Sequence, residues 1–261
     1  KNKTINIQLS ALNIDLKTVD AVLLTHAHLD HSGMIPLLYK EGYRGPIYTT
    51  FPTYELCKLL LPDSGHLQEE EARFRNKHGL SKHELAKPLY DLKTAKDSLS
   101  IFKPVAFDQE LKINDSIITF RSAGHILGAA SIRVESANKS IVFTGDVGRP
   151  NDFVMYPPRP IKPADFLVIE STYGNRLHDQ HDPQQVLEDI INQTVSKGGS
   201  LLIPSFAVGR SQSIMFVISQ LIKEKRIPSI PVFLDSPMAI NSSDIYCDFS
   251  IEHRLNTSQC R

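Results

Sequence analysis

His26-Ala27-His28-Leu29-Asp30-His31 follows directly on the apolar run Val19-Asp20-Ala21-Val22-Leu23-Leu24-Thr25 and precedes the helical pattern Ile35-Pro36-Leu37-Leu38-Tyr39, closed by Gly42. The order is strand, loaded loop, helix, and it bears on the fold and the chemistry together. Neutral imidazole and carboxylate are the ligands that borderline divalent metals such as zinc accept, at about 2.0–2.2 Å. If His26 and His28 face one point while the turn aims Asp30 and His31 at another, one short segment loads two metals. A His-rich surface loop, or core histidines satisfied by hydrogen bonds, is the plainer alternative. Such a density of ligand types at a strand end speaks against it.

Outward from this loop, short apolar runs alternate with helical patterns, which points to a layered α/β architecture. A strand is expected over 47–50, after Gly45-Pro46, and helical periodicity runs over 54–61. Between Pro62 and Asp97 the chain turns polar, with Gln68-Glu69-Glu70-Glu71-Ala72-Arg73 and Lys82-His83-Glu84, and reads as a solvated helix or arm. Strands follow at 111–113, 117–120, 132–134 and 141–143, with hairpin turns at Asn114-Asp115 and Ala137-Asn138-Lys139. The Pro-rich piece Tyr156-Pro157-Pro158-Arg159-Pro160 leads to a strand over 166–169 that reads as buried, and a domain boundary is expected soon after it. Beyond Asn175 come a helix started by Asp182-Pro183, Gly198-Gly199, a strand over 200–203, a helix after Gly209 and a strand over 232–234. That is βαβ rhythm in a second unit, so the expected domains are 1–174 and 175–261.

Two metals need more ligands than one loop supplies, and later strand ends offer them. His125 sits in Ala123-Gly124-His125-Ile126-Leu127-Gly128, where flanking glycines allow close backbone approach. Asp146, in Phe143-Thr144-Gly145-Asp146, ends the strand at 141–143 and could bridge both metals. Taken alone, His125 reads equally as a packed histidine and Asp146 as a turn cap. Gly209-Arg210-Ser211-Gln212 opens a helix whose free backbone N–H groups could receive a phosphate, with ordinary capping as the alternative.

Composition narrows the classes. With 29 Lys+Arg against 29 Asp+Glu there is no global basic field, so a polyanion partner must be held locally. Apolar stretches such as 21–24 and 214–222 fall far short of the roughly 20 residues a bilayer demands, and Lys1-Asn2-Lys3-Thr4-Ile5 carries charge but no signal-peptide core. Cys57, Cys247 and Cys260 form no CxxC pair, which suits a reducing compartment and sets no disulfide expectation. The expected location is the cytoplasm, with no membrane partner.

These motifs together resemble the metallo-β-lactamase superfamily, whose αββα sandwich carries HxHxDH, a later His and a later Asp at such strand ends. Three further segments resemble its β-CASP branch of RNA-processing nucleases, both endonucleases and exonucleases: 170–176 (Glu-Ser-Thr-Tyr-Gly-Asn-Arg), 203–212 (Ile-Pro-Ser-Phe-Ala-Val-Gly-Arg-Ser-Gln) and 235–239 (Asp-Ser-Pro-Met-Ala). Asp63-Ser64-Gly65-His66-Leu67-Gln68-Glu69-Glu70-Glu71 also fits that branch. The resemblance implies an incomplete sandwich carrying the first part of an inserted α/β β-CASP domain. It implies two zinc ions: His26, His28 and His125 on one, Asp30 and His31 helping to hold the other, and Asp146 between them. Asp30 and Glu170 would be the catalytic carboxylates, Glu170 orienting a histidine that acts as general acid. Two cations about 3.5–4 Å apart suit phosphodiester cleavage by a metal-activated bridging water. Arg176, Arg210 and Ser211 would help grip RNA, the expected partner, and a homodimer is compatible with the reading.

Members of that branch begin with additional strands and supply two further histidines from a late region, one the general acid and one the last ligand of the second metal. His253 is the sole histidine after residue 239, and it lacks either context, so the chain is expected to be a fragment with an impaired second site. His66, His78, His83, His178, His181 and His253 have no ligand spacing and are left as surface or structural. Alternatives are a small-substrate metallohydrolase acting on a thioester, lactone or lactam, a DNA-directed nuclease, and a non-catalytic scaffold. An inserted α/β lid argues against the first, and the intact ligand set against the last.

Overall fold

In a computed structural model, which describes residues 14–80, 85–177 and 180–260, two sheets lie with their helices around them. The expectations placed on Lys1 to Ile5, on Lys82-His83-Glu84 and on His178 fall outside the described residues. The first sheet is parallel, with order β1 (Val22–Leu23), β2 (Ile47–Thr50), β3 (Phe102–Val105). Parallel neighbours need crossover connections. Here these are α1 (Leu29–Ser32) with α2 (Ile35–Lys40) between β1 and β2, and α3 (Phe51–Lys77) with α4 (Leu92–Ser98) between β2 and β3. The second sheet runs β4 (Glu110–Ile113), β5 (Ser116–Ser122), β6 (Ala130–Ser136), β7 (Lys139–Phe143), antiparallel throughout, and then adds β8 (Phe166–Val168) parallel to β7. Asn114 has φ 51°, and Ala137 and Asn138 have φ 47° and 64°, which is the left-handed backbone that tight hairpins require.

The sandwich interior follows from the alternation along these strands. Val105, Ile118, Phe120, Ala130 and Ile132 form one apolar cluster with Leu23 and Tyr48 from the parallel sheet. The β1 strand is shorter than the expected 19–24, because only Val22 and Leu23 pair with β2, and the chain then leaves the ladder toward His26. Helix α3 absorbs the expected arm. It starts with Thr50 Oγ1 capping the Thr53 amide and continues through Pro62 to Lys77. The polar run on α3 holds the returning chain, since Ser64 bonds the Tyr90 hydroxyl, Gln68 Oε1 accepts the Leu89 amide and Glu69 Oε2 the Leu92 amide.

Beyond residue 174, α5 (Pro183–Ser196), α6 (Arg210–Lys223) and α7 (Pro237–Asp248) form as the caps foretell. Asp182 caps α5 at Gln184 N, and Ser236 caps α7 at Ala239 N. Ile191, Val217, Ile218, Leu221 and Ile227 make a separate apolar cluster between α5 and α6. Three strand expectations are corrected. Residues 200–203 and 232–234 have no regular secondary structure and belong to no ladder among the described residues. The strand at 166–169 exists as β8 but is exposed along its whole length, with Ile169 beyond it also exposed. Burial is expected of the apolar run at 166–169, but an apolar strand is buried only where a second layer covers it, and no described element covers this one.

Candidate metal centre

Sheet pairing ends just before the loaded loop. The Leu24 amide still bonds Tyr48 O at 2.9 Å, and from Thr25 the chain turns across the sheet end. Ser32 Oγ donates to Ala27 O at 2.8 Å, closing the turn of α1 that carries Asp30 and His31. His125 arrives from the β5–β6 connection and Asp146 from the end of β7. His26, His28, His125 and Asp146 thereby offer four donor atoms that all lie within 4.8 Å of one another, from three separate strand ends.

The spacing of those atoms fits a single cation. Bonds of about 2.0–2.1 Å in a tetrahedron place donors roughly 3.3–3.4 Å apart. His26 Nε2 and His125 Nε2 each stand 3.2 Å from His28 Nδ1, and Asp146 Oδ2 stands 3.5 Å from His125 Nε2 and 3.8 Å from His26 Nε2. Burial also favours the uncharged form of these rings. Burial, then the like charges of His31, His28 and His125, push His26 down to about 2. Burial likewise lowers His28 and His125, against the pull of Asp146 on both. Uncharged imidazoles with converging nitrogens are the donor set that a divalent cation takes. A proton on His26 Nδ1, aimed at Thr25 Oγ1 3.2 Å away, leaves Nε2 for that role.

A second group lies beside the first. Asp146 turns Oδ2 toward His26 and His125 but Oδ1 toward His31, whose Nε2 is 3.2 Å off. Asp30 Oδ2 is 3.6 Å from the same His31 nitrogen, with its side chain 77% exposed. So Asp30 and His31 sit outside the four-donor group and share Asp146 with it. Glu170 binds neither set: Oε1 accepts the Val147 amide at 2.9 Å and Oε2 the Thr172 amide at 3.4 Å. Burial works to raise its carboxyl, and these bonds to Val147 and Thr172 overcome it and hold the group below the usual range.

The expected RNA contacts differ among themselves. Arg176 is exposed and stacks its guanidinium 4.7 Å over the Tyr173 ring, and Arg210 is exposed at the first turn of α6. Ser211 is buried, its hydroxyl donating to Phe206 O at 2.7 Å beside Ser205 Oγ. The Gly209 amide bonds Gln212 Oε1 at 2.7 Å, so ordinary capping already occupies this part of the helix start. His253 is buried with both ring nitrogens engaged, by Tyr246 O and by the Leu255 amide.

Sequence reasoning missed the residues that let the two ligand loops approach. Gly145, with φ 56°, packs where a Cβ would stand 2.8 Å from Thr25 Cβ. A Cβ on Gly148 would stand 1.8 Å from Gly124 O. The signal was there as Gly145-Asp146-Val147-Gly148 facing Gly124-His125, two glycine-flanked ligands, but pairing them requires the fold.

A model of the metallo-beta-lactamase superfamily domain matches residues 1–155, and a model of the Beta-Casp domain matches residues 211–261. The chain belongs to the metallo-β-lactamase superfamily and to its β-CASP branch, and the cluster above is a site for a divalent metal. Among curated relatives, ribonuclease TTHA0252 of Thermus thermophilus is 34% identical over 233 residues, covering 89% of this chain and 50% of the relative. Transcription termination factor FttA of Methanosarcina mazei is 35% identical, covering 84% and 34%. Cleavage and polyadenylation specificity factor subunit 3-I of Arabidopsis thaliana is 31% identical, covering 89% and 32%. The chain thus spans a third to a half of the length of these relatives. Among the described residues, no helix is long and apolar enough to cross a membrane.

Proposed function

We propose that the chain carries the metal-binding part of a zinc-dependent phosphodiester hydrolase that cleaves RNA. The observation that carries this reading is the convergence of His26, His28, His125 and Asp146 at one point, with His31 on the other face of the Asp146 carboxylate. Nitrogen and carboxylate donors without clustered thiolate favour zinc. His26, His28 and His125 hold one ion, Asp30 and His31 help to hold a second, and Asp146 is shared. When bound, such a pair supplies an activated water and neutralises charge developing on the phosphate. Glu170 holds the Val147 amide and so fixes the backbone beside Asp146, in addition to the histidine-orienting role that the family implies. Arg176 and Arg210, both exposed, give a net-neutral protein local cations for a polyanion. The buried Ser211 acts on substrate through the shape of the Phe206–Gly209 turn. Relatives bearing the names ribonuclease and cleavage factor support RNA over a small ester. Units at 1–174 and 175–261 and a cytoplasmic location complete the proposal.

The test is turnover of end-labelled RNA, end-labelled DNA and a thioester or lactone by one preparation of the complete gene product, with and without chelator. Chelator-sensitive RNA cleavage is expected. Turnover of the ester alone overturns the substrate assignment.

A further inference from the structure

The loop that carries His125 is gripped from two sides, and one of those sides is α7. The Leu127 amide donates to the phenol oxygen of Tyr246, 119 residues further along the chain, at 3.2 Å, and both residues are buried. Gly209, at φ 88°, packs so close that a Cβ there would lie 2.9 Å from Ile126 Cγ2 and 4.0 Å from the Tyr246 hydroxyl. Val208 and Tyr246 belong to the same apolar cluster as Ile126 and Leu127. On the opposite side Gly128 O accepts from Thr50 Oγ1 at 2.7 Å, at the cap of α3.

Tyr246 is itself immobilised. Its carbonyl accepts from His253 Nε2 at 2.7 Å, and the Leu255 amide donates to His253 Nδ1 at 3.1 Å, which assigns the proton to Nε2. His253 bridges to Met155, and the Arg254 amide bonds Val154 O at 2.8 Å. The late histidine therefore serves as the post behind Tyr246.

We infer that Tyr246 is a positioning residue for His125, joining the chain after residue 174 to the metal centre through the Leu127 amide. The inference rests on His125 being a metal ligand. Leu127 follows His125 by two residues in a short connection, so an amide that loses its buried acceptor must turn elsewhere for a partner, and the imidazole turns with it. The coupling is reciprocal: a metal that fixes His125 also fixes the seat of Tyr246.

The test measures divalent metal affinity by competition with a chromophoric chelator for zinc, well below the melting temperature, for the wild type and three variants. Tyr246→Phe keeps the ring and deletes the acceptor, and should weaken zinc about 10-fold, the lower end of losses for groups that orient a ligand. Asn192→Ala deletes a bond of α5 to Arg226 O beside the α5–α6 apolar cluster, which shares no residue with the His125 loop, and should leave zinc affinity unchanged. His125→Ala tests the underlying reading. Hydrogen exchange at the Leu127 amide should accelerate in Tyr246→Phe and slow in the wild type on adding zinc. Zinc affinity of Tyr246→Phe within twofold of wild type, or an equal loss in Asn192→Ala, overturns the inference while leaving the metal site intact. Unchanged zinc binding by His125→Ala overturns the site reading, and this inference with it.

Discussion

Replacing Gly148 by alanine adds one methyl group at the point where the two ligand loops touch. The Gly148 amide bonds Ala123 O at 2.8 Å, so the backbones are already in contact. The new Cβ would stand 1.8 Å from Gly124 O, 2.1 Å from Gly124 C and 2.7 Å from His125 N. That is about 1.5 Å inside the separation at which carbon contacts become attractive. All three obstacles are backbone atoms, so no side chain can swing aside, and the loops of Asp146 and His125 must part. Overpacking of this kind costs about 3 kcal/mol or more, which lowers the melting temperature by roughly 6–12 °C in a domain of this size. Donors now 3.2–3.8 Å apart cannot follow such a shift and still share one cation, so zinc affinity should fall by about 100-fold or more. Gly198→Ala is the control. At φ 65°, with nothing within 4 Å of its Cβ, it meets only left-handed strain of about 1–2 kcal/mol and should retain zinc. Thermal unfolding and zinc content are measured on both variants. If Gly148→Ala melts like wild type and keeps its zinc, the steric argument and the assignment of these two loops to one site are wrong.

The double variant His26→Ala/His28→Ala should remove chiefly one metal and Asp30→Ala/His31→Ala chiefly the other, as elemental analysis reports; unaltered content in both would refute the two-site division. Glu170→Gln can still accept the Val147 amide, so zinc content should hold while RNA cleavage slows about 10-fold or more through the lost charge; full activity would reduce the residue to a strand-end prop. His26, neutral in the fold, titrates near 6.5 when unfolded, so its contribution is complete above about pH 6.5 and declines as pH falls toward 2. The slope approaches about 1.4 kcal/mol per pH unit for this group alone, with His28 and His125 displaced the same way. Chelator-treated protein should therefore melt several degrees lower at about pH 5.5 than at about pH 7.5, and an equal melting temperature at both would contradict the neutral cluster.

Much of the site was readable because its ligands are local in sequence or punctuated by glycine. Three histidines and an aspartate in one loop declare themselves, and His125 and Asp146 each end a strand whose alternation is plain. Hairpin turns at Asn114 and at Ala137-Asn138 were equally legible, since positive φ has few residue types to choose from. What stayed hidden depends on partners distant in the chain. The approach of Gly148 to Gly124, that of Gly145 to Thr25 and the Tyr246 grip on Leu127 are pairings that no spacing encodes. Residues 166–169 misled for the same reason: an apolar run promises burial, but its cover comes from another part of the fold. The ladders expected at 200–203 and 232–234 likewise depend on partner strands that the described residues do not offer. The solvated helix or arm expected from Pro62 begins as a continuation of α3, to Lys77.

One titration bears on the central claim most directly. The complete gene product is dialysed against chelator until zinc is undetectable, then zinc is returned in steps while RNA cleavage and bound metal are read on the same sample. Cleavage should be absent without metal and rise with occupancy as the His26, His28, His125, Asp146 group and its neighbour fill. RNA cleavage that persists in metal-free protein, or that stays flat as zinc binds, would contradict the account.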